Sequence, residues 1–288
     1  MTVRSDPPRT RPLVLAGEAP VTADVLEDVC RAMPADVVLV GGQALAFWML
    51  RYGLAFGLDH QTQVTSDADL LGKVTDAEAL HKLLGGRLIK PAPTERTALV
   101  ARLMLPANDE PGKEHKVEVI HQLYDVGGLR KSAEFTAHVV QRAVRVRFGR
   151  DFSITVMHPL DVLVSRINNA AGLVANKGDH VITQAAWAVD VMSRAFLRYG
   201  DPSQADAPGR VGAMIQEVRG LAYSSAGRTV RRLHGIEVMD AVPESELVRL
   251  MPQLQGEFEA MHRSAKAIKH IQVDGGTKPT LPDGGHRK

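Results

Sequence analysis

The 288-residue chain has one cysteine, Cys30, so no disulfide can form within it. A chain without disulfides suits a reducing compartment. Positive side chains outnumber negative ones by only 2, so composition alone gives no reason to expect a nucleic-acid partner. No apolar run is long enough to cross a bilayer, and the N-terminal apolar piece is too short and too interrupted by proline for a signal peptide. We therefore expect a cytoplasmic protein with no membrane partner.

Several motifs of well-known enzyme classes are missing as well. The chain has no G-x-S-x-G, no Walker phosphate-binding loop and no Rossmann fingerprint after a strand. His115 and His121 lie six residues apart on a predicted strand, which does not match the spacing of zinc ligands. These absences argue against serine hydrolases, P-loop enzymes, dinucleotide-binding enzymes and a zinc site.

The sequence divides into two parts that differ in hydrophobic pattern. Residues 21–157 mix short apolar strands with helices, whereas residues 158–272 contain only long amphipathic stretches with helical spacing. An arm at residues 1–20 is rich in proline and arginine, and the tail at residues 273–288 lacks apolar residues, so we expect both to be flexible. The pattern predicts an α+β fold: a small mixed sheet with flanking helices, followed by an all-helical domain.

The first part contains a helix, two strands and a glycine pair in an informative order. Residues 22–33 have helical spacing with Thr22 as N-cap, and Cys30 falls on the apolar face. A short buried strand at residues 37–40 is followed by Gly41, Gly42 and a helix from about Gln43. Residues 138–159 read as one or two strands around a glycine-containing turn.

Two aspartates separated by one residue stand at the start of the next strand, in the segment VTSDADLLG. Asp67 and Asp69 are expected on the same side of that strand, because side chains alternate with a period of two. Neighbouring carboxylates repel each other unless a positive charge lies between them. Glu118, in the later strand segment KVEVI, can add a third carboxylate. Such a hard oxygen site suits Mg²⁺, or two Mg²⁺ ions that act together on a nucleotide.

The Gly41-Gly42 pair supports the same interpretation. Glycines at the start of a helix let backbone N–H groups approach a phosphate closely, and the helix dipole favours the negative charge. Each feature alone has an ordinary structural explanation, since glycine pairs form tight turns and aspartates are common at strand ends. The conjunction of both, in this order and on these elements, favours a site for metal and nucleotide.

These motifs resemble the nucleotidyltransferase superfamily, which has the polymerase-beta-like fold. The resemblance rests on VGG at residues 40–42, SDADL at residues 66–70 and VEVI at residues 117–120, and it covers roughly residues 35–200. The match is nearest to the AbiEii-like branch, which includes toxins of toxin–antitoxin systems. The resemblance implies a Mg²⁺-dependent enzyme that transfers a nucleoside monophosphate from an NTP to a hydroxyl of RNA such as tRNA, or of protein, with a possible antitoxin partner.

The resemblance also implies roles for particular residues. Asp67, Asp69 and Glu118 would be catalytic and hold the metal, and nucleotide binding would fall to five further residues: Gly41, Gly42, Ser66, Arg166 and Lys177. The chain departs from the family pattern in two ways. The segment between Gly42 and Asp67 is long, and the third carboxylate is glutamate rather than the usual aspartate, so Asp125 is an alternative for that position.

Two other functions stay open at this point. The acceptor could be a small molecule such as an antibiotic, or the fold could serve as a nucleotide-binding module without catalysis. Two arginine clusters are candidates for a polyanion surface, although each could equally be a solvated charged face. These clusters are Arg145, Arg147 and Arg150, and Arg228, Arg231 and Arg232.

Overall fold

The fold is described from a computed structural model, which describes residues 14–54, 64–148, 151–201, 203–204, 206–260 and 262. Most of the predicted N-terminal arm, the whole predicted tail and Arg150 lie outside the described residues. In the described part, no helix has the length and apolar character needed to cross a membrane.

A mixed sheet of eight strands forms the centre of the fold. Seven strands follow the order β4-β5-β6-β3-β2-β8-β7, and β1 pairs with β6 off this path. The strands are β1 (Glu18–Ala19), β2 (Val38–Val40), β3 (Ala68–Leu71), β4 (Arg87–Ile89), β5 (Leu99–Pro106), β6 (Glu114–Ile120), β7 (Val144–Phe148) and β8 (Phe152–Val156).

The helices fall before, between and after these strands. They are α1 (Ala23–Ala32), α2 (Gly41–Arg51), α3 (Val74–Leu84), α4 (Leu129–Arg142), α5 (Pro159–Gly172), α6 (Val174–Lys177), α7 (His180–Tyr199), α8 (Ala207–Tyr223), α9 (Ser225–His234) and α10 (Glu244–Leu250). Two short 3₁₀ turns at Val238–Ala241 and Pro252–Leu254 flank α10.

The pairing of three central strands positions the predicted acidic residues. Strand β3 runs antiparallel to β2, with Val40 opposite Asp69, and parallel to β6, with Asp69 beside Glu118. Residues in register on neighbouring strands project to the same face of a sheet. The sheet therefore brings Asp69 and Glu118 together although 49 positions separate them in the sequence.

The structure confirms the mixed sheet and does not confirm a separate all-helical domain. Buried side chains from the strands and from the helices after residue 158 form one continuous core. Helices α5 and α7 pack against α2 and against each other. Trp48 of α2 also donates a 2.8 Å hydrogen bond from its indole nitrogen to the carbonyl of Met157. The predicted boundary near residue 158 thus marks a change of secondary structure within one core.

Several local predictions are confirmed and others are wrong. The N-cap of α1 is Thr22, whose hydroxyl accepts a hydrogen bond from the N–H of Val25, and Cys30 is buried. The helix after β2 begins at Gly41 rather than near Gln43. Residues 138–142, predicted as strand, form the end of α4. This helix buries Ser132, Phe135 and Val139 at helical spacing, a pattern that the strand interpretation overlooked.

Candidate functional site

Three carboxylates from separate segments meet at the start of α2. Oxygen atoms of Asp67, Asp69 and Glu118, one from each residue, lie within 4.8 Å of one another. Asp69 and Glu118 project from β3 and β6, and Asp67 lies in the bend one residue before β3 rather than on the strand. The sequence placed the same three residues at one site, and we refer to them as the acidic triad.

The bend before β3 holds Asp67 in place. The hydroxyl of Thr65 donates a 2.8 Å hydrogen bond to the carboxylate of Asp67, and the amide nitrogen of Gln43 donates to its carbonyl at 3.2 Å. Gln184 of α7 fixes the same bend from the other side through a 2.7 Å hydrogen bond to the carbonyl of Val64. The position of Asp67 therefore depends on contacts from α2 and α7 as well as on its own strand.

The two glycines allow α2 to begin directly against the triad. Gly41 has φ +69°, a conformation that residues with side chains rarely adopt, and a Cβ atom there would come within 2.8 Å of the Cβ of Asp69. A Cβ atom on Gly42 would come within 2.5 Å of the side chain of Thr65. Only glycine fits at these two positions, because the backbone there lies against the side chains of Asp69 and Thr65. The first turn of α2 can therefore lie next to the carboxylates.

Cations partly neutralise the two outer carboxylates. The ammonium of Lys116 lies 3.4 Å from Asp67 and 3.5 Å from Glu18 of β1. The guanidinium of Arg102 on β5 donates to one oxygen of Glu118 from Nε at 2.9 Å and from Nη2 at 2.5 Å. Burial lowers the pKa of Lys116, but the carboxylates of Asp67, Glu118 and Glu18 outweigh burial and raise it.

The central carboxylate has an unusual protonation equilibrium. Burial and, second, the neighbouring charge of Asp67 raise the pKa of Asp69, which is about 7 instead of the usual 3.8. Lys177 favours the ionised form of Asp69 and opposes this rise. A carboxyl group whose pKa is raised by burial and by neighbouring carboxylates is a common feature of functional sites.

A polar cavity of about 240 Å³ opens on one side of the triad. Its walls include Ser66, Lys116, Lys177, His180 and Asn176. The predicted nucleotide-binding residues Gly42, Ser66, Arg166 and Lys177 all line it. The sequence prediction therefore gathered residues that share one cavity, and this cavity is rich in groups that can bind an anion.

Arg166 is the most deeply placed of these cations. Its side chain is buried, and its guanidinium donates to Gln184 at 3.0 Å and to Ser165 at 2.9 Å. Among the described residues, its Nε has no hydrogen-bond partner. Burial lowers the pKa of Arg166, whereas Asp69 and Asp67 raise it. A buried cation with an open donor beside carboxylates supplies positive charge that a bound phosphate could use.

A second, larger cavity of about 530 Å³ is lined by two members of the triad, Asp69 and Glu118. Asp69, Glu118, Arg166 and Lys177 line both cavities, and Gly41 lines the second one. The remaining walls are largely apolar and include Ile120, Leu123, Tyr124, Leu129 and Leu173, with Arg96 and Gln122 among the polar exceptions. Asp69 and Glu118 therefore border both a polar cavity and a largely apolar one.

The other candidate residues lie elsewhere. Asp125, the alternative third carboxylate, accepts hydrogen bonds from the N–H of Gly127 at 2.7 Å and from Asn168 at 3.1 Å, and it is not part of the triad. Arg145 and Arg147 are exposed on the edge strand β7, which β2 and β8 separate from β3.

The second arginine cluster is also separate from the triad. Arg228, Arg231 and Arg232 are exposed on α9, and Arg231 pairs with Glu237 at 2.6 Å. Among the described residues, neither arginine cluster lines a cavity at the triad.

Sequence reasoning missed several residues at the site. Lys116 lies two positions before Glu118, so strand periodicity alone places it on the same face. His180 and Gln184 are separated by one helical turn of α7, and Asn169 shares a face of α5 with Arg166, which was predicted. No local spacing links Arg102 or Glu18 to the triad, because they reach it only through the pairing of β5 and β1 with β6.

The triad fits a divalent cation by its donor set. Three carboxylates supply hard oxygen ligands, the type that Mg²⁺ prefers, and the glycine at position 41 leaves room beside Asp69. Comparison with known proteins adds no relative, since no protein-family model matches the chain and no curated protein matches it. The functional argument therefore depends on this geometry.

Proposed function

We propose that the protein is a Mg²⁺-dependent nucleotidyltransferase, which moves a nucleoside monophosphate from an NTP to an acceptor hydroxyl. The observation that carries the proposal is the acidic triad at the N-terminus of α2, beside two cavities that share Arg166 and Lys177. Carboxylates for a metal, a helix N-terminus for phosphate and buried positive charge are the three components that this reaction needs.

The reaction exchanges one phosphorus–oxygen bond for another. The acceptor oxygen bonds to the α-phosphorus, the bond from that phosphorus to pyrophosphate breaks, and the hydroxyl proton passes to a base. Glu118, which lines both cavities, is our candidate for that base. Bound Mg²⁺ would supply charge neutralisation for the phosphates and the leaving pyrophosphate.

The two cavities suggest where the substrates lie. In our proposal the triphosphate occupies the polar cavity, where Ser66 can donate a hydrogen bond and Lys177 and Arg166 offset the negative charge. The apolar cavity then receives the group that carries the acceptor hydroxyl, next to Glu118. Much of the rate enhancement would come from positioning and from fixed charges rather than from covalent chemistry. An RNA or protein acceptor and an antitoxin partner stay predictions from the resemblance.

One observation favours a second function, a nucleotide-binding module without catalysis. Arg102 contacts the same oxygen of Glu118 through two nitrogen atoms, so the third carboxylate already has a cationic partner. If this ion pair persists when nucleotide binds, the metal would keep only two carboxylate ligands. The protein would then bind an NTP and transfer nothing.

A transfer assay separates the two functions. The protein is incubated with each α-³²P-labelled NTP, Mg²⁺ and total RNA or cell lysate, in parallel with an Asp67→Ala/Asp69→Ala variant. Label transferred to an acceptor by the wild type and lost in the variant supports the enzyme. NTP binding without transfer supports the module. Glu114→Gln serves as the matched control, because Glu114 lies on the same strand as Glu118 but pairs with Arg87, outside both cavities.

A further inference from the structure

A third cavity, of about 520 Å³, lies at the C-terminal ends of α2 and α7, where β7 approaches them. It is lined by aromatic and arginine side chains, chiefly Trp48, Arg51, Tyr52, Arg198 and Tyr199, and we call it the aromatic cleft. Its volume is within the range of small-molecule sites. Tyr52 follows α2 directly, and at 1.5 Å per residue it is about 16 Å from the start of that helix at the triad.

The aromatic cleft carries positive charge without a matching acid. Arg51 and Arg198 are exposed at its rim, and none of the described residues that line it has a carboxylate. A neighbouring acid, Asp201, accepts hydrogen bonds from the N–H and the hydroxyl of Ser203 at 3.0 and 2.7 Å. These hydrogen bonds lower the pKa of Asp201 more than the charge of Arg198 does. Two guanidinium groups without a bound carboxylate are suited to a phosphate.

Two phenol groups share this positive field. Burial raises the pKa of Tyr52, with a further rise from Tyr199, while Arg51 and Arg198 oppose it. Burial also raises the pKa of Tyr199, against Arg210 and Arg51. In the described part of the chain, neither hydroxyl has a hydrogen-bond partner. Both phenols therefore stay protonated and have a donor available for a phosphate oxygen or a base edge.

The aromatic rings form a rigid platform. Trp48 is held by its hydrogen bond to Met157, and Tyr52 stacks on it with ring centroids 5.5 Å apart and an interplanar angle of 18°. Tyr199 stacks on His158 at 5.3 Å. Ordinary core packing explains the stacking, but it does not explain two exposed arginines around an open cavity. Positive charge combined with aromatic faces is the usual composition of a site for single-stranded nucleic acid.

We propose that the aromatic cleft binds a nucleotide unit, with its phosphate on Arg51 and Arg198 and the polar edge of its base at the hydroxyls of Tyr52 and Tyr199. The unit can come from a strand of RNA or from a free mononucleotide. This second site does not depend on the transfer reaction proposed for the triad. Helix α2, which lies between the cleft and the triad, is buried from Gly41 to Met49, so the nucleotide unit in the cleft occupies a site separate from the triad.

Fluorescence anisotropy of a short, labelled single-stranded RNA tests the proposal in the presence of EDTA. The Arg51→Ala/Arg198→Ala variant should bind the RNA about tenfold or more weakly than the wild type, because both guanidinium contacts to the phosphate are lost. The matched control is Arg228→Ala/Arg232→Ala, which removes the same charge from exposed positions on α9 and should change the affinity less than about twofold. Thermal unfolding verifies that each variant is folded.

Competition identifies the source of the nucleotide unit. Displacement of the labelled RNA by AMP, but not by inorganic phosphate, supports a site that recognises a single nucleotide. Displacement only by unlabelled RNA supports a site that needs a strand. The proposal is overturned if the wild type binds neither RNA nor AMP, if both arginine pairs matter equally, or if the arginine pair of the cleft does not matter.

A triad variant separates this proposal from the one for the triad. Asp67→Asn/Asp69→Asn should retain RNA affinity in EDTA. If that variant alone alters RNA binding, the RNA lies at the triad, and the cleft proposal fails while the transferase proposal stands. If the cleft variant loses RNA affinity while the transfer assay is negative, the reverse holds.

Discussion

Replacement of Asp69 by asparagine should stabilise the metal-free protein, which is unusual for a change at a partly buried polar residue. Burial raises the pKa of Asp69 from 3.8 to about 7, so the folded protein at pH 8 contains a carboxylate that is ionised against its preference. A pKa difference of this size corresponds to about 4 kcal/mol of unfolding free energy. Because the side chain is partly open to the cavities, we expect about 1–3 kcal/mol.

The raised pKa of Asp69 determines how the stability of the wild type changes with pH. The folded protein holds a proton on Asp69 up to about pH 7, whereas the unfolded chain releases that proton near pH 4. Wild-type stability should therefore fall as the pH rises through this interval, and it should level off above it. The Asp69→Asn variant carries no such group, so its advantage should be smaller at pH 5 than at pH 8, where it is largest.

Divalent metal should make the wild type more stable than the Asp69→Asn variant, which reverses their order of stability in EDTA. A ligand present at one hundred times its Kd stabilises the folded state by about 2.7 kcal/mol. Wild type should gain stability of this order from Mn²⁺ or Mg²⁺, and Asp69→Asn should gain much less. Urea unfolding in EDTA and in metal, at pH 5 and pH 8, measures all four states, with Glu114→Gln as the control. A variant that is less stable than wild type in EDTA at pH 8, together with a wild type that does not respond to metal, would refute the reasoning.

Three further predictions concern the neighbours of the triad and a second buried acid. Lys116→Met should tighten Mn²⁺ binding about tenfold in calorimetric titrations, because a positive charge near the metal is removed, and Lys113→Met, on an exposed turn, should not. Gly41→Ala should lower stability by about 2–4 kcal/mol and abolish the response to metal, whereas Gly53→Ala, with φ +66° and open space around it, should cost about 1 kcal/mol and leave the response intact. Burial raises the pKa of Asp161 from 3.8 to about 7, so wild type should lose stability between pH 4 and pH 7 more steeply than Asp161→Asn in urea titrations; parallel profiles would contradict this assignment.

The sequence predicted the triad because its evidence is local. Period-two alternation relates Asp67 to Asp69, and the glycine pair marks the junction of β2 and α2 without knowledge of tertiary structure. That Glu118 joins them depends on the parallel pairing of β3 with β6, which no local pattern encodes. The sequence offered Glu118 only as a carboxylate on a later strand, and the register of β3 and β6 places it beside Asp69.

Other features could not be read from local patterns. The amphipathic helices after residue 158 would look the same whether they packed on one another or on the sheet, so hydrophobic spacing could not distinguish a second domain from one shared core. Arg102 could not be assigned to Glu118, because that contact depends on the antiparallel register of β5 and β6. Helix α4 differs from these cases, because Ser132, Phe135 and Val139 have helical spacing that the strand interpretation of residues 138–142 overlooked.

The contact between Arg102 and Glu118 decides whether the triad can act as a complete metal site. Arg102 is 37% exposed, and an ion pair with one exposed partner typically contributes no more than about 1 kcal/mol. A divalent cation that gains a third carboxylate ligand interacts with twice the charge of the arginine, at shorter distance and with less loss of side-chain entropy. Arg102 can also rotate into solvent without leaving a buried charge unpaired, since it is the more exposed member of the pair. The balance of these energies favours displacement of Arg102 when metal binds, and it is on this ground that we prefer the enzyme to the binding module.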